Sequence, residues 1–357
     1  MSAAGSGAVA GFEQRLLARS RAIGLDASSC VLVAFSSGPD SLALAAALTH
    51  VRAVLGVRLV LAHIDHGLRQ TSGADARRAA ALGAGLGCET VTLAIAADVR
   101  ELHPGAGLED AARRERYRLL REAAETAGAE LVATAHHQDD QAETVLLHLL
   151  RGSGLNGARG MAEFGDMPAS PNDISQYDHD IRLRLWRPLL GESRREILSY
   201  LALRRLHPVL DPTNDETTFR RNWLRHDVLP VIEARVPGAG AALARYASLA
   251  ADDDALLESL ATRALTEALD AEGRLSGAQL TEQPAALQRR MVRGWLARQI
   301  GLHDLSAERV EAVRQLAARA DNGRVVELSG GWRVRRARGM LCVTRSAMWE
   351  NGEEGTA

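Results

Sequence analysis

The stretch Val31-Leu-Val-Ala-Phe-Ser-Ser-Gly-Pro-Asp-Ser41 decides the fold. Five apolar residues in a row, without the alternation of a half-exposed strand, read as a strand buried on both faces, the pattern of a parallel sheet covered by helices. Small residues then turn the chain, and the apolar spacing over residues 41–55 predicts a helix. A strand that turns into a helix through such a loop aims backbone N–H groups and the helix N-terminus at one point, which is a cradle for phosphate. Ser36 and Ser41 add hydroxyl donors, while Asp40 has no proton to give a phosphate and suits Mg2+ instead. Pro39 fits the first helical turn, where its missing N–H costs nothing. The same residues also suit an ordinary strand-to-helix turn with Ser and Asp as caps, so the loop alone leaves both readings open.

Outward from that turn, residues 59–64, 90–95 and 131–135 repeat the short apolar run, and helical spacing covers 12–22, 73–86 and 108–127. Strands alternating with helices predict an α/β fold with a doubly wound, mainly parallel sheet over residues 1–220. Within it, residues 160–180 read as a long polar loop, 183–190 as one more strand and 193–203 as a helix. A smaller, mostly helical domain is expected over 221–345, closing with strands at 324–328, 332–336 and 340–344. The first two are joined hairpin-style through Ser329-Gly330-Gly331. Residues 346–357 read as a disordered tail.

Composition narrows the chemistry. Of 357 residues, 46% are apolar and 25% charged, with a net charge of −2, and all 43 basic residues are arginine. A chain without lysine holds neither a Walker-A phosphate lysine nor a Schiff-base nucleophile. Cys30, Cys88 and Cys342 are scattered, which argues against a disulfide framework or a thiolate-held cluster. No run reaches the ~18 apolar residues of a membrane helix, and the first ten residues lack the pattern of a secretory signal. A soluble, cytoplasmic protein is the expectation.

Further polar clusters follow the predicted strands. His63-Ile-Asp-His-Gly-Leu-Arg69 closes the second, and Thr134-Ala-His-His-Gln-Asp-Asp-Gln-Ala-Glu-Thr144 closes the fourth and opens a helix. His63, His66, His136, Asp139 and Asp140 are of the types that ligate metal in a hydrolase; they equally line a nucleotide pocket without one. Asp140 and Glu143, three apart, share a helix face. They also read as a capping box with Asp140 at the N-cap and Glu143 folding back. Arg113 and Tyr117 fall at i, i+4; the arginine either snorkels along the apolar face or holds an anion. Residues 182–235 carry eleven arginines against seven acidic residues. That balance suits either a solvated surface or contact with RNA phosphates.

Taken in order, these segments resemble the tRNA(Ile)-lysidine synthetase family of N-type ATP pyrophosphatases, the PP-loop group. The family loop S-G-G-x-D-S stands here as Ser36-Ser37-Gly38-Pro39-Asp40-Ser41. H-[IV]-[DN]-H-G-L-R matches 63–69, A-R-x-x-R-Y matches 112–117, and A-H-H-x-D-D-Q-x-E-T matches 135–144. R-G-S-G-L-x-G matches 151–157, and R-P-L-L with the D-x-T-N…R-N-x-x-R series matches 187–190 and 211–225. One departure stands out: Ser37 replaces the second-position glycine. A negative φ would let it be tolerated, and its hydroxyl offers a further donor; weaker ATP binding is the equal alternative.

The resemblance implies that ATP adenylates O2 of the wobble cytidine in a CAU-anticodon isoleucine tRNA, releasing pyrophosphate. The ε-amine of free L-lysine then displaces AMP at C2. It implies Ser36, Ser37, Gly38, Pro39, Asp40 and Ser41 as the ATP site, with Asp40 on Mg2+. Asp140 and Glu143 would recognise the cationic groups of lysine and Arg113 its carboxylate. The oligomeric state is left open, a homodimer included. Three rivals remain: another PP-loop enzyme (a thiolase lacks its paired cysteines here), a metal-dependent phosphoesterase built from the His/Asp clusters, and a catalytically silent tRNA binder.

Overall fold

The computed structural model describes residues 3–65, 72–95, 99–103, 105, 107–168, 183–209, 220–301, 305–319 and 324–345. His66 and Arg69, the 211–219 part of the downstream series, most of the expected 160–180 loop and the 346–357 tail lie outside them. The chain forms two compact units, Met1–Ala251 and Asp252–Ala357.

The first unit is built on a six-stranded sheet of β1 (Cys30–Ala34), β2 (Arg58–Asp65), β3 (Glu89–Ala94), β4 (Leu131–Ala133), β5 (Phe164–Asp166) and β6 (Arg184–Trp186). Their order is β3-β2-β1-β4-β6-β5, all parallel except the edge strand β5. The helices are α1 (Ala3–Ala22), α2 (Pro39–Leu55), α3 (Ser72–Gly85), α4 (Val99–Leu102), α5 (Leu108–Ala127), α6 (Gln138–Leu150), α7 (Leu155–Ala158) and α8 (Arg194–Arg204). Burial of β1 on both faces explains its unbroken apolar run. Val31 and Val33 pack in a core with α1, α2 and α8, whereas Leu32 between them joins Tyr117, Leu120 and Ala124 of α5 on the opposite face.

The chain runs outward from β1 through β2 to β3, then returns to place β4 on the other side of β1. The carboxyl ends of β1 and β4 therefore flank the point where strand order reverses, which is where open α/β sheets leave a crevice for ligands. Two expectations are corrected. The 160–180 segment is not all loop: Phe164–Asp166 pairs antiparallel with β6. The strand expected over 183–190 is only Arg184–Trp186, because Pro188 has no N–H to continue the ladder.

Beyond β6 the unit continues through α9 (Arg220–Trp223), a π-helical turn (Leu224–Val228), α10 (Leu229–Arg235) and the start of α11 (Ala239–Ala268). The second unit combines the rest of α11 with α12 (Gly277–Glu282), α13 (Ala285–Ile300) and α14 (Ala307–Ala318). Against them lies an antiparallel sheet of β7 (Leu275–Ser276), β10 (Met340–Arg345), β9 (Trp332–Ala337) and β8 (Val325–Glu327), in that order. β7 falls in a stretch expected to be helical. Trp295, Leu275, Val334 and Leu341 fill the core of this unit. No helix among the described residues is long and apolar enough to cross a membrane.

Candidate functional site

The loop after β1 is tied together by its own serines. Ser41 Oγ accepts from the Ser36 N–H (3.2 Å), lies 3.1 Å from Ser36 Oγ and donates to the Gly38 carbonyl (3.1 Å). Gly38 is the N-cap of α2 without a side-chain cap and Pro39 is its first residue, so first-turn N–H groups of the helix are left for a ligand. Ser37 is held with φ +65°, in the left-handed region, and its carbonyl accepts from the Val209 N–H at 2.9 Å. The condition of a negative φ is not met: the loop keeps the conformation a glycine would take, with a serine in it.

Two polar atoms of this loop are buried without a hydrogen-bond partner, Ser37 Oγ and Asp40 Oδ1. Buried polar groups are rarely left unsatisfied, and those that are commonly mark a place for an absent ion or ligand. A hydroxyl that can donate beside a carboxylate that can only accept fits a phosphate–cation pair. Asp40 Oδ1 lies 3.7 Å from Nε2 of His137 and its Oδ2 3.6 Å from Nη1 of Arg194, and its charge also acts on Arg225.

At the end of β4 the second cluster is built on a helix cap. His137 is the N-cap of α6: its Nδ1 accepts from the Asp139 N–H (3.2 Å), and Asp140 Oδ2 accepts from the His137 N–H (3.0 Å). The capping box exists, but one turn earlier than expected, so Asp140 is its third residue instead of its N-cap and Glu143 is free of capping. His137 Nε2 lies 3.5 Å from Asp140 Oδ2 as well as near Asp40, so this one ring bridges the two clusters.

Glu143 is only 1% exposed. Its charge is balanced by two arginines that follow β6 in the chain. Arg225 Nε donates to Glu143 Oε1 at 2.6 Å and its Nη2 to Asp140 Oδ1 at 2.7 Å; Arg221 donates from Nε to Glu143 Oε2 (2.8 Å) and from Nη2 to Asp140 Oδ1 (3.1 Å). Burial alone would push the Asp140 carboxyl up, but His137, Arg221, His136 and Arg225 outweigh it and bring it down to about 2. His136 moves well below the ordinary histidine range, chiefly by burial, with Arg116, Arg187 and Arg221 adding to the effect against the pull of Asp140. It is therefore a neutral ring, 2.9 Å from Thr134 Oγ1.

Arg113 stands apart from the carboxylates. Its Nη2 lies 3.3 Å from the Tyr117 hydroxyl and its guanidinium 5.1 Å from the centre of that ring, and it makes no ion pair with Asp40, Asp140 or Glu143. Tyr117 is pulled below the ordinary phenol range by Arg113, Arg116 and Arg187, against the opposing effect of its burial. His63 sits further back, its Nδ1 2.9 Å from the Phe35 carbonyl. Among the described residues no three His, Cys, Asp or Glu side chains converge as a metal-holding group.

Sequence reasoning left Arg221 and Arg225 within a stretch suited either to a solvated surface or to RNA contact, and missed their reach into this site. Nothing in their spacing singled these two out from the other arginines of the stretch, since the carboxylates they meet lie on a different helix, α6.

Comparison with known proteins accords with this architecture. A family model described as PP-loop domain matches residues 12–232, and one described as TilS substrate binding domain matches 275–342. The tRNA(Ile)-lysidine synthase of Symbiobacterium thermophilum is 36% identical over 334 residues, covering 90% of this chain and 66% of that protein. That of Thermobifida fusca is 36% identical over 322 residues, covering 90% and 93%. The chain thus spans about two thirds of the first relative and nearly all of the second. A U34-tRNA thiolase of Methanococcus maripaludis shares the fold, with a TM-score of 0.54 at 15% identity over 69% of this chain and 80% of that one. The serine-held loop at the reversal of strand order and the extent of these matches lead to one assignment: the chain belongs to the tRNA(Ile)-lysidine synthase family of PP-loop proteins.

Proposed function

We propose that the protein ligates free L-lysine to C2 of the wobble cytidine in CAU-anticodon tRNA(Ile), consuming ATP and releasing AMP and pyrophosphate. The product, lysidine, turns codon reading from AUG to AUA. The observation that carries this reading is the pairing of two unlike subsites across one histidine. On one side is a loop with an unsatisfied hydroxyl and carboxylate, suited to a phosphate and Mg2+. On the other is a buried acid pair already holding nitrogen cations, suited to an ammonium.

In this reading Ser36, Ser37, Gly38, Pro39 and Ser41 cradle the ATP phosphates, and Asp40 holds Mg2+. ATP·Mg2+ supplies the adenylyl group that makes the cytidine oxygen a good leaving group. The chain's own residues do the rest. Asp140 and Glu143 bind the lysine ammonium, and Glu143 accepts the proton that must leave before the amine attacks C2. Arg113, with Arg187 near it across Tyr117, draws the lysine carboxylate to that side. Residues 1–220 are assigned the chemistry and 221–345 the task of holding tRNA, in the cytoplasm.

Glu143→Ala separates the two half-reactions. Pyrophosphate release on adding tRNA should persist, while lysine-dependent AMP release falls by about a hundredfold or more, the range of a lost proton acceptor. Unchanged lysine-dependent AMP release would remove Glu143 from the mechanism.

A further inference from the structure

The two carboxylates proposed to take lysine are not vacant. Asp140 and Glu143 carry two negative charges, and Arg221 and Arg225 bring two positive ones to within 2.6–3.1 Å of them. Both carboxylates are already engaged by guanidiniums, so an ammonium added here would meet like charge at contact distance with no carboxylate oxygen left to itself, a costly state at a buried acid. At least one guanidinium must withdraw for lysine to enter. The arginines are placed to do so. Their side chains remain 25% and 31% exposed, against 1% for Glu143, so they form the solvent side of the cluster.

Their segment is unusual in two further respects. It passes from α9 into a five-residue π-helical turn, Leu224–Val228, with Pro230 just inside the next helix. Such turns are rare and recur at functional sites. Between the arginines in sequence stands Trp223, 45% exposed. An exposed indole among arginines is a platform for a stacked base beside phosphate-binding groups.

We propose that Arg221 and Arg225 are exchange partners, which hold Asp140 and Glu143 in the free protein and release them to the lysine ammonium when phosphates of the docked tRNA take the guanidiniums. This rests on the reading of Asp140 and Glu143 as the lysine site. It makes lysine binding conditional on tRNA, and by linkage tRNA binding tighter with lysine by the same factor. The buried acid pair never waits uncompensated, because one set of cations replaces another.

Equilibrium dialysis of radiolabelled lysine against the full chain tests the exchange, with and without a CAU-anticodon isoleucine tRNA transcript. Wild type should bind lysine about tenfold or more tightly when tRNA is present. Arg225→Gln should bind it that tightly without tRNA, and should gain melting temperature on adding lysine because the ammonium fills the vacated place. Arg225→Lys, which keeps a cation there, should fall between. Equal lysine affinity with and without tRNA in wild type overturns the proposal, as does weaker or unchanged tRNA-free lysine binding in a folded Arg225→Gln.

A second readout does not involve lysine. Glu143→Gln loosens both guanidiniums, so tRNA should bind more tightly and its affinity should fall more steeply with salt, by about one to two units of log–log slope. A gain in tRNA affinity with lysine binding untouched overturns the lysine site and supports the exchange with phosphate. Loss of lysine binding without any gain for tRNA overturns the exchange and leaves the lysine site standing.

Discussion

Ser37 carries the clearest tension between residue type and position. A serine at φ +65° in the left-handed region costs roughly 1–2 kcal/mol of backbone strain, and its buried hydroxyl has no partner to offset that. Ser37→Gly should stabilise the free protein by about 1 kcal/mol, net of the greater flexibility glycine gives the unfolded chain. A thermal melt checks this, and an unchanged or lower melting temperature would contradict it. The melting-temperature gain on adding ATP and Mg2+ should shrink in the variant if the hydroxyl donates to a phosphate. The residue types of this loop were legible in the sequence, and the sign of φ was not, because a serine does not itself favour the left-handed region; the folded loop holds it there, with the Ser37 carbonyl accepting from the Val209 N–H.

Acid stability at the residue scale follows from His136 and Asp140, in separate windows. The folded pKa of His136 lies below its ordinary value of 6.5, so below 6.5 the unfolded chain takes up a proton that the folded one refuses. Stability therefore falls as pH drops through 6.5, by up to about 1.4 kcal/mol per pH unit, until the folded ring titrates too. The folded pKa of Asp140 is lowered from 3.8 to about 2, so its contribution is complete above 3.8 and is lost as pH falls toward 2. His136→Gln should chiefly flatten the upper window and Asp140→Asn chiefly the lower one, each with a smaller effect on the other because the two groups act on each other, read as denaturation midpoints across the two ranges. A single slope common to wild type and both variants would contradict the assignment.

At the scale of elements, long periodic segments were legible and short ones were not. The helix expected over 108–127 is the one observed, bracketed by Gly107 and a left-handed Gly128, because twenty residues give an amphipathic pattern many repeats. β5 and β7, of three and two residues, are too short to show any period and exist only through their neighbours. The cap of α6 was misplaced by a turn for a related reason: a histidine supplies the capping acceptor that Ser, Thr, Asp or Asn usually provides. Among the motif glycines, Gly157 has a packing role. A Cβ there would lie 2.3 Å from Ser153 Cβ, an impossible approach. Gly157→Ala should therefore cost about 1–3 kcal/mol, the range for forcing an atom into a packed site. A chemical denaturation curve superposable on wild type would show that the turn between α6 and α7 gives way instead.

Across the whole molecule, function follows from topology acting on residues distant in sequence. The loop at 36–41 and the cap at 137–140 meet because β1 and β4 are neighbours at the reversal of strand order, and the arginines at 221 and 225 reach the acid pair there from a segment after β6. Each segment was readable by itself, and the α/β alternation made their approach foreseeable at the carboxyl ends of the strands. What could not be read was which arginines of a crowded stretch turn inward, since eleven of them share one residue type and only tertiary placement distinguishes Arg221 and Arg225. The second unit, helices against a four-stranded antiparallel sheet, matches the substrate binding domain of the family.

The most direct test of the account is the reaction itself. Purified protein is incubated with ATP, Mg2+, free L-lysine and a CAU-anticodon isoleucine tRNA transcript, and the anticodon fragment is weighed by mass spectrometry while AMP is followed. The account predicts a lysine-dependent mass increase at the wobble cytidine with one AMP released per modified tRNA. ATP turnover with tRNA but no lysine on the fragment, or no turnover at all, would contradict it.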